Sequence, residues 1–169
     1  MDQPDWDLPE ELHSEYEERP FKICTRCGES LADFDEGFQI SKVFRNGECT
    51  MEYAICMPCH SSMVSEFSVD SRRKMEKFQE ENFKHADGLF QCAVCAVKRT
   101  DDGPTEYGLA AHCLGLDLVQ DLMICGKCTE RMQEMISPET RGRWDKFVGE
   151  NFPCAPSETS PAPTGVPVF

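Results

Sequence analysis

Ile55–Phe83 reads ICMPCHSSMVSEFSVDSRRKMEKFQEENF, and Ile124–Phe152 reads ICGKCTERMQEMISPETRGRWDKFVGENF. The two stretches align without a gap at a constant offset of 69 residues. Cys56, Cys59, Met63, Ser68, Arg72 and Phe78 meet Cys125, Cys128, Met132, Ser137, Arg141 and Phe147, and both copies end in Glu-Asn-Phe. A further Cys-x-x-Cys precedes each copy, at Cys24/Cys27 and at Cys92/Cys95, offset by 68 residues. Agreement at a fixed period marks one cysteine-rich unit written twice.

Each unit spaces its thiols as Cys-x-x-Cys, about thirty residues, then Cys-x-x-Cys. Two intervening residues let both thiolates of a pair grip one ion from a tight turn or a first helical turn. Two such pairs complete a tetrahedron. Soft thiolates select zinc or iron over magnesium or calcium, and zinc is the expected ion, two per chain. The ligand sets are Cys24, Cys27, Cys56 and Cys59, then Cys92, Cys95, Cys125 and Cys128. A closed set of four cysteines leaves no position for water or substrate, so the metal reads as structural and the chain as no enzyme. No catalytic or cofactor-binding residues are assigned beyond these ligands.

Local signals fill in the unit. Gly28 follows Cys27 and permits the positive φ of a knuckle turn. Gly37 to Phe44 alternates as a strand, Asn46-Gly47 is a hairpin turn, and Cys49 to Ile55 is the return strand. In the second copy the strands are Glu106 to Leu114 and Leu118 to Ile124, around Gly115-Leu116-Asp117. A helix starts near Cys56, with Pro58 in its first turn. A second starts after Ser68, as its counterpart starts after Ser137 with Pro138 and Glu139 following. Met75, Phe78 and Phe83, and Trp144, Phe147, Val148 and Phe152, are core at helical spacing. The repeated Lys77-Phe78 … Glu81-Asn82-Phe83 and Lys146-Phe147 … Glu150-Asn151-Phe152 could mark a partner site; the favoured expectation is that the aromatics seal each helix onto its module or pack the modules together.

On these residues the chain resembles the treble-clef group of zinc fingers: a Cys-x-x-Cys knuckle, a β-hairpin, then a Cys-x-x-Cys opening a helix. The resemblance covers residues 20–83 and 89–152 and departs in the extra helix ending Glu-Asn-Phe. It implies a small, metal-stabilised α+β fold of two internal repeats, each a zinc knuckle, a β-hairpin and two helices. Treble clefs serve protein docking, nucleic-acid binding and, with added histidines, nuclease chemistry, so the resemblance fixes no single function.

The expected organisation is an acidic, disordered arm at 1–20, zinc module one at 21–83, a linker at 84–88, zinc module two at 89–152 and a Pro-rich disordered tail at 153–169. Units of some sixty residues bury too little surface to be stable alone, and metal supplies the difference. Trp6, Leu8 and Leu12 in the arm could form a linear docking motif.

The formal charge is −14, of which residues 1–20 carry eight acids against one base. Such a balance argues against sequence-independent binding to nucleic acid. The opening MDQPDWDLPEELHSEYEERP lacks a basic n-region and an apolar stretch, so no secretory signal is expected. No run is apolar enough for a membrane span. The setting is then reducing and cytoplasmic, where these spacings favour metal over disulfides.

Among the remaining residues, Cys49 and Cys113 read as buried hairpin residues and Cys154 as a free thiol. His60 follows Cys59 but meets Thr129 in the second copy. His112 is the one residue of a strand that a nuclease relative could use as a base, and the first copy has no match for it.

Three functions compete: a non-catalytic interaction or adaptor module that docks a protein partner, a thiol-based metal-handling or redox-switch protein, and a nucleic-acid-binding zinc finger. The last would use Arg72, Arg73, Lys74 and Lys77 with Arg141, Arg143 and Lys146, but acids interleave with these bases as on a solvated face. The oligomeric state is not set by the sequence.

Overall fold

The computed structural model of the chain describes residues 9–85, 88–100, 103–114 and 117–151, without the side chains of 144, 145 and 147–151. Among them are five strands and four α-helices. The strands are β1 (Phe38–Arg45), β2 (Glu48–Cys56), β3 (Gly88–Cys92), β4 (Glu106–Leu114) and β5 (Asp117–Cys125). The helices are α1 (Met57–Ser65), α2 (Val69–Asn82), α3 (Gly126–Glu134) and α4 (Pro138–Asn151). The result is a small α+β fold around one sheet of order β2-β1-β4-β5-β3.

Both hairpins form where turn chemistry and alternation place them. Asn46 and Gly47 both have positive φ, 53° and 82°, which matches the twist of the flanking strands. Each hairpin carries one β-bulge. In the first the register slips between Val43 and Phe44, in the second between His112 and Cys113, 69 residues on in each case. Cys49 and Cys113 take opposite members of the same cross-strand pair beside the bulge, Phe44↔Cys49 and Cys113↔Leu118.

The hairpins join through an antiparallel β1–β4 ladder. Ser41 faces Ala110, and the register is symmetric about that pair, with Phe38↔Cys113 at one end and Phe44↔Tyr107 at the other. The Phe44 and Tyr107 rings stack with centroids 5.1 Å apart. One apolar cluster runs through both halves, from Leu31, Ile40 and Ile55 to Leu109, Met123 and Met132. The two modules expected at 21–83 and 89–152 therefore share a sheet and a core. The linker expected at 84–88 runs into β3, and β3 pairs parallel to β5.

Glycine is needed at Gly37. Its φ is +87°, and a Cβ there would stand 2.0 Å from the carbonyl oxygen of Cys113 on β4. A bare backbone is what lets the entry to β1 lie against β4.

The helices meet at their starts. Ser68 accepts a hydrogen bond from the Ser71 N–H at 3.1 Å, and Ser137 from the Thr140 N–H at 3.2 Å. The caps are also exchanged: the Ser68 N–H donates to Thr140 Oγ1 at 3.0 Å, and the Ser137 N–H to Ser71 Oγ at 2.9 Å. Two adjoining helix N-termini bring like partial positive charges together, which repel. Four hydroxyls accept from the N–H groups of Ser68, Ser71, Ser137 and Thr140 there, with Ser71 and Thr140 buried. From this junction α2 crosses to the second half. Met75 packs with Ile136, and Phe78 lies under the Arg131 guanidinium at 5.4 Å. Of the two expectations for the repeated aromatics, α2 follows packing between halves; the side chains of Phe147 and Phe152 lie outside the described residues.

The acidic arm departs from expectation. Residues 1–8, with Trp6 and Leu8, lie outside the described residues, as does the tail at 153–169. Residues 9–20 are not a disordered arm but lie against the sheet. Leu12 is fully buried in the chain's own core, not offered for docking. The buried Lys42 ammonium donates to the carbonyls of Glu11 and His13 at 2.9 and 2.6 Å and to the Glu15 carboxylate at 2.9 Å. Glu52, opposite Lys42 on β2, accepts from the Ser14 hydroxyl at 2.8 Å and from the Glu15 N–H at 2.9 Å. One cross-strand pair of opposite charge holds a segment whose composition alone reads as disordered.

Candidate metal centres

Each quartet is assembled from a knuckle and a strand–helix junction. Cys24 and Cys27 lie in the first knuckle, which the Thr25 N–H ties to the Ala54 carbonyl of β2 at 2.8 Å. Cys92 and Cys95 lie in the second, which the Ala93 N–H ties to the Met123 carbonyl of β5 at 2.8 Å. Cys56 and Cys125 end β2 and β5 as the N-caps of α1 and α3, and Cys59 and Cys128 sit in the first turns. The knuckles turn through positive φ just past their second cysteine, at Gly28 (77°) and, in the second, at Ala96 (65°).

The sulfurs of Cys24, Cys27, Cys56 and Cys59 lie within 4.8 Å of one another, and so do those of Cys92, Cys95, Cys125 and Cys128. All eight cysteines singled out in the sequence thus come together, four and four. The Cys27 and Cys56 sulfurs are 3.8 Å apart, and those of Cys95 and Cys125 are 3.7 Å apart. A tetrahedron of metal–sulfur bonds about 2.3 Å long has edges of about 3.8 Å. The donor set therefore fits a tetrahedral thiophilic ion.

Backbone donors converge on one buried sulfur in each set. Cys24 Sγ accepts from the N–H of Cys27 at 3.5 Å and of Cys56 at 3.4 Å. Cys92 Sγ accepts from the N–H of Val94 and of Cys125, both at 3.4 Å. Burial alone would raise the Cys24 thiol, but the N–H groups of Cys27, Cys56 and Arg26 outweigh it and hold the group at about 7. Cys92 is lowered in the same way against its burial, by Cys125, Cys95 and Val94. Cys59 and Cys128 are raised, first by burial and then by the neighbouring sulfurs. Four thiols so crowded cannot all ionise unaided, and a divalent cation is the counter-charge that would permit it.

The other candidates fall outside the quartets. Cys113 is buried and raised by desolvation to about 12; Cys49 is half-buried and raised by desolvation to about 11. His60 is buried beside Cys59 but is not one of the four ligands. His112 is half-buried on β4 opposite Gln39. On α2, Lys74 pairs with Asp70 at 3.0 Å and Lys77 with Glu81 at 3.9 Å, as expected for a solvated face. The Lys42–Glu52 grip escaped the sequence reading, because a lysine and a glutamate in alternating strands carry no local sign of burial. Among the described residues no helix is long and apolar enough to cross a membrane.

Comparison with known protein families, with curated proteins and with solved structures finds no match for this chain.

Proposed function

We propose that the chain is a non-catalytic zinc protein. Its two quartets hold one zinc ion each and staple a duplicated, treble-clef-like fold. The rigid body so formed serves as a protein-interaction or adaptor module in a reducing, cytoplasmic setting. The observation that carries this reading is the pair of four-sulfur sets, each within 4.8 Å and each with N–H groups aimed at a buried sulfur. Such closed sets suit a structural ion, because a catalytic zinc keeps an open position. The order of knuckle, hairpin and helix in each half supports the treble-clef reading. The ladder centred on Ser41 and Ala110 supports a two-fold relation between the repeats.

Native mass spectrometry with elemental analysis and a thiol count tests the proposal. Two zinc ions per chain and slow loss to chelator are expected, and of the three thiols outside the ligand sets the buried Cys113 should react only once the chain unfolds. Turnover of any substrate that chelation abolishes would overturn the non-catalytic part. One observation favours thiol chemistry at the metal as a second reading: Cys27 and Cys95 are exposed, whereas Cys24, Cys56, Cys92, Cys125 and Cys128 are buried.

A further inference from the structure

The two quartets differ in what they present to solution. Both have an exposed knuckle cysteine, Cys27 and Cys95. On the helix side, Cys59 is half-buried whereas Cys128 is only 3% exposed. The residue before the exposed cysteine differs as well. In the first knuckle it is Arg26, exposed, whose guanidinium donates to the Cys59 carbonyl at 3.0 Å. That bond lays a fixed cation across the seam between knuckle and helix. In the second knuckle it is Val94, half-buried against the core. The first set thus has two cysteines at least partly exposed, with a cation held at the Cys59 carbonyl. The second has one, beside a hydrocarbon wall.

Resting on the zinc reading above, we infer that Cys27 is a modification site for small hydroperoxides, and that the first quartet gives up its ion on oxidation while the second keeps its own. The Cys27 sulfur attacks one peroxide oxygen; the S–O bond forms, the O–O bond breaks, and the alkoxide or hydroxide leaves as alcohol or water after taking a proton. Arg26, next to Cys27 in the chain and held at the Cys59 carbonyl, is the cation this step would draw on to stabilise the departing anion. Cys56, its sulfur 3.8 Å away, then attacks the sulfenic sulfur. An S–S bond forms, the S–O bond breaks and hydroxide leaves as water. Two thiolates have lost two electrons to one peroxide, and only Cys24 and Cys59 are left to hold the ion.

The test is titration of the zinc-loaded full chain with hydrogen peroxide, following released zinc with a chromogenic chelator and oxidised cysteines by peptide mass mapping. One equivalent of zinc should leave first, with Cys27 in the oxidised peptide and Cys92, Cys95, Cys125 and Cys128 still reduced. Arg26→Val, which copies the second knuckle and spares every ligand, should slow this first release roughly three- to tenfold and leave the second unchanged. Simultaneous release, earlier oxidation at Cys95, or an unchanged rate in Arg26→Val would overturn the inference while leaving two-zinc binding intact. Protein that holds no zinc before peroxide is added would overturn the zinc reading and this inference together.

Discussion

Hairpin one and hairpin two share a register, a bulge position and a cysteine at the end of the return strand, yet among the described residues it is hairpin one whose Lys42 and Glu52 grip the N-terminal segment. Lys42 and Glu52 face each other across β1 and β2; Ala111 and Asp121 face each other at the same place across β4 and β5. The ammonium of Lys42 and the carboxylate of Glu52 bind residues 11–16. The alanine at 111 offers nothing comparable. What the halves share is the part that assembles each four-sulfur set: knuckle, hairpin, helix start. Where they differ, the chain has tied down residues 11–16, left Cys59 more exposed than Cys128 or accepted a positive φ at Ala96. The common part is expected to carry most of the stability and the differences most of the individuality.

The largest test of that division is to remove one site at a time. Cys56→Ala and Cys125→Ala each delete a ligand at a strand–helix junction, one in each half. A structural zinc contributes on the order of 10 kcal/mol, comparable to the whole stability of a small domain. Because the β1–β4 ladder makes the sheet continuous, either variant should unfold both halves in one transition. Hydrogen exchange would show this as loss of protection at Ile40 and Leu122 alike. A variant that loses protection in one half only would show two independent modules, and the shared core would have been misjudged.

Next in size is the grip itself. Lys42→Met keeps the buried stem but removes the charge that satisfies two carbonyls and a carboxylate. Since Glu15 is half exposed, its share is screened. The loss should still be about 3 kcal/mol, read from urea unfolding, with new protease cuts within residues 9–19. Unchanged stability and no new cuts would mean that Leu12 and the bonds to Glu52 anchor the segment without the ammonium.

These two tests mark the limit of what the sequence discloses. The quartets were legible because metal ligation imposes a short, fixed spacing, and Cys56 and Cys125 fell where that spacing requires. Asn46-Gly47, Ser68 and Ser137 were legible because turns and caps are chosen by the residues that form them. The β1–β4 ladder was not legible. Pairing Ser41 with Ala110 spans a long stretch of chain, and nothing local in either strand says which edge it will seek. Nor was the docking of residues 9–20, because an acidic composition with one leucine matches a disordered arm until Lys42 is seen beneath it. The crossing of α2 to Arg131 and Ile136 was left between two outcomes for the same reason: an apolar helix face shows that it is covered, not by what.

At the helix junction the halves should respond alike. Ser71→Ala strands the Ser137 N–H, and Thr140→Val strands the Ser68 N–H, in each case at a buried position. Each should cost about 1.5 kcal/mol. Combined, they should deviate from additivity by about 0.5 kcal/mol or more, because their hydroxyls share one network. A large difference between the two single variants would show that the junction is not symmetric in energy, whatever its geometry.

The smallest expected effect is at the knuckles, and it has opposite signs in the two halves. Gly28 and Ala96 occupy the same turn, with φ of 77° and 65°. Glycine accepts that conformation freely, whereas a residue with a Cβ loses about 1–2 kcal/mol there. Ala96→Gly relieves this strain but gives the unfolded chain more freedom, which returns about 0.5–1 kcal/mol. The net expectation is a gain of roughly 0.5–1 kcal/mol for Ala96→Gly and a loss of similar size for Gly28→Ala. A Cβ at Gly28 would meet nothing within 4 Å, so the loss there is purely conformational. Denaturant midpoints of the metal-loaded proteins would decide the matter. If Ala96→Gly destabilises instead, the half-buried Ala96 methyl contributes packing that outweighs its backbone strain. The second knuckle would then be held by side-chain contacts, as Val94 already suggests, and the first by its glycine alone.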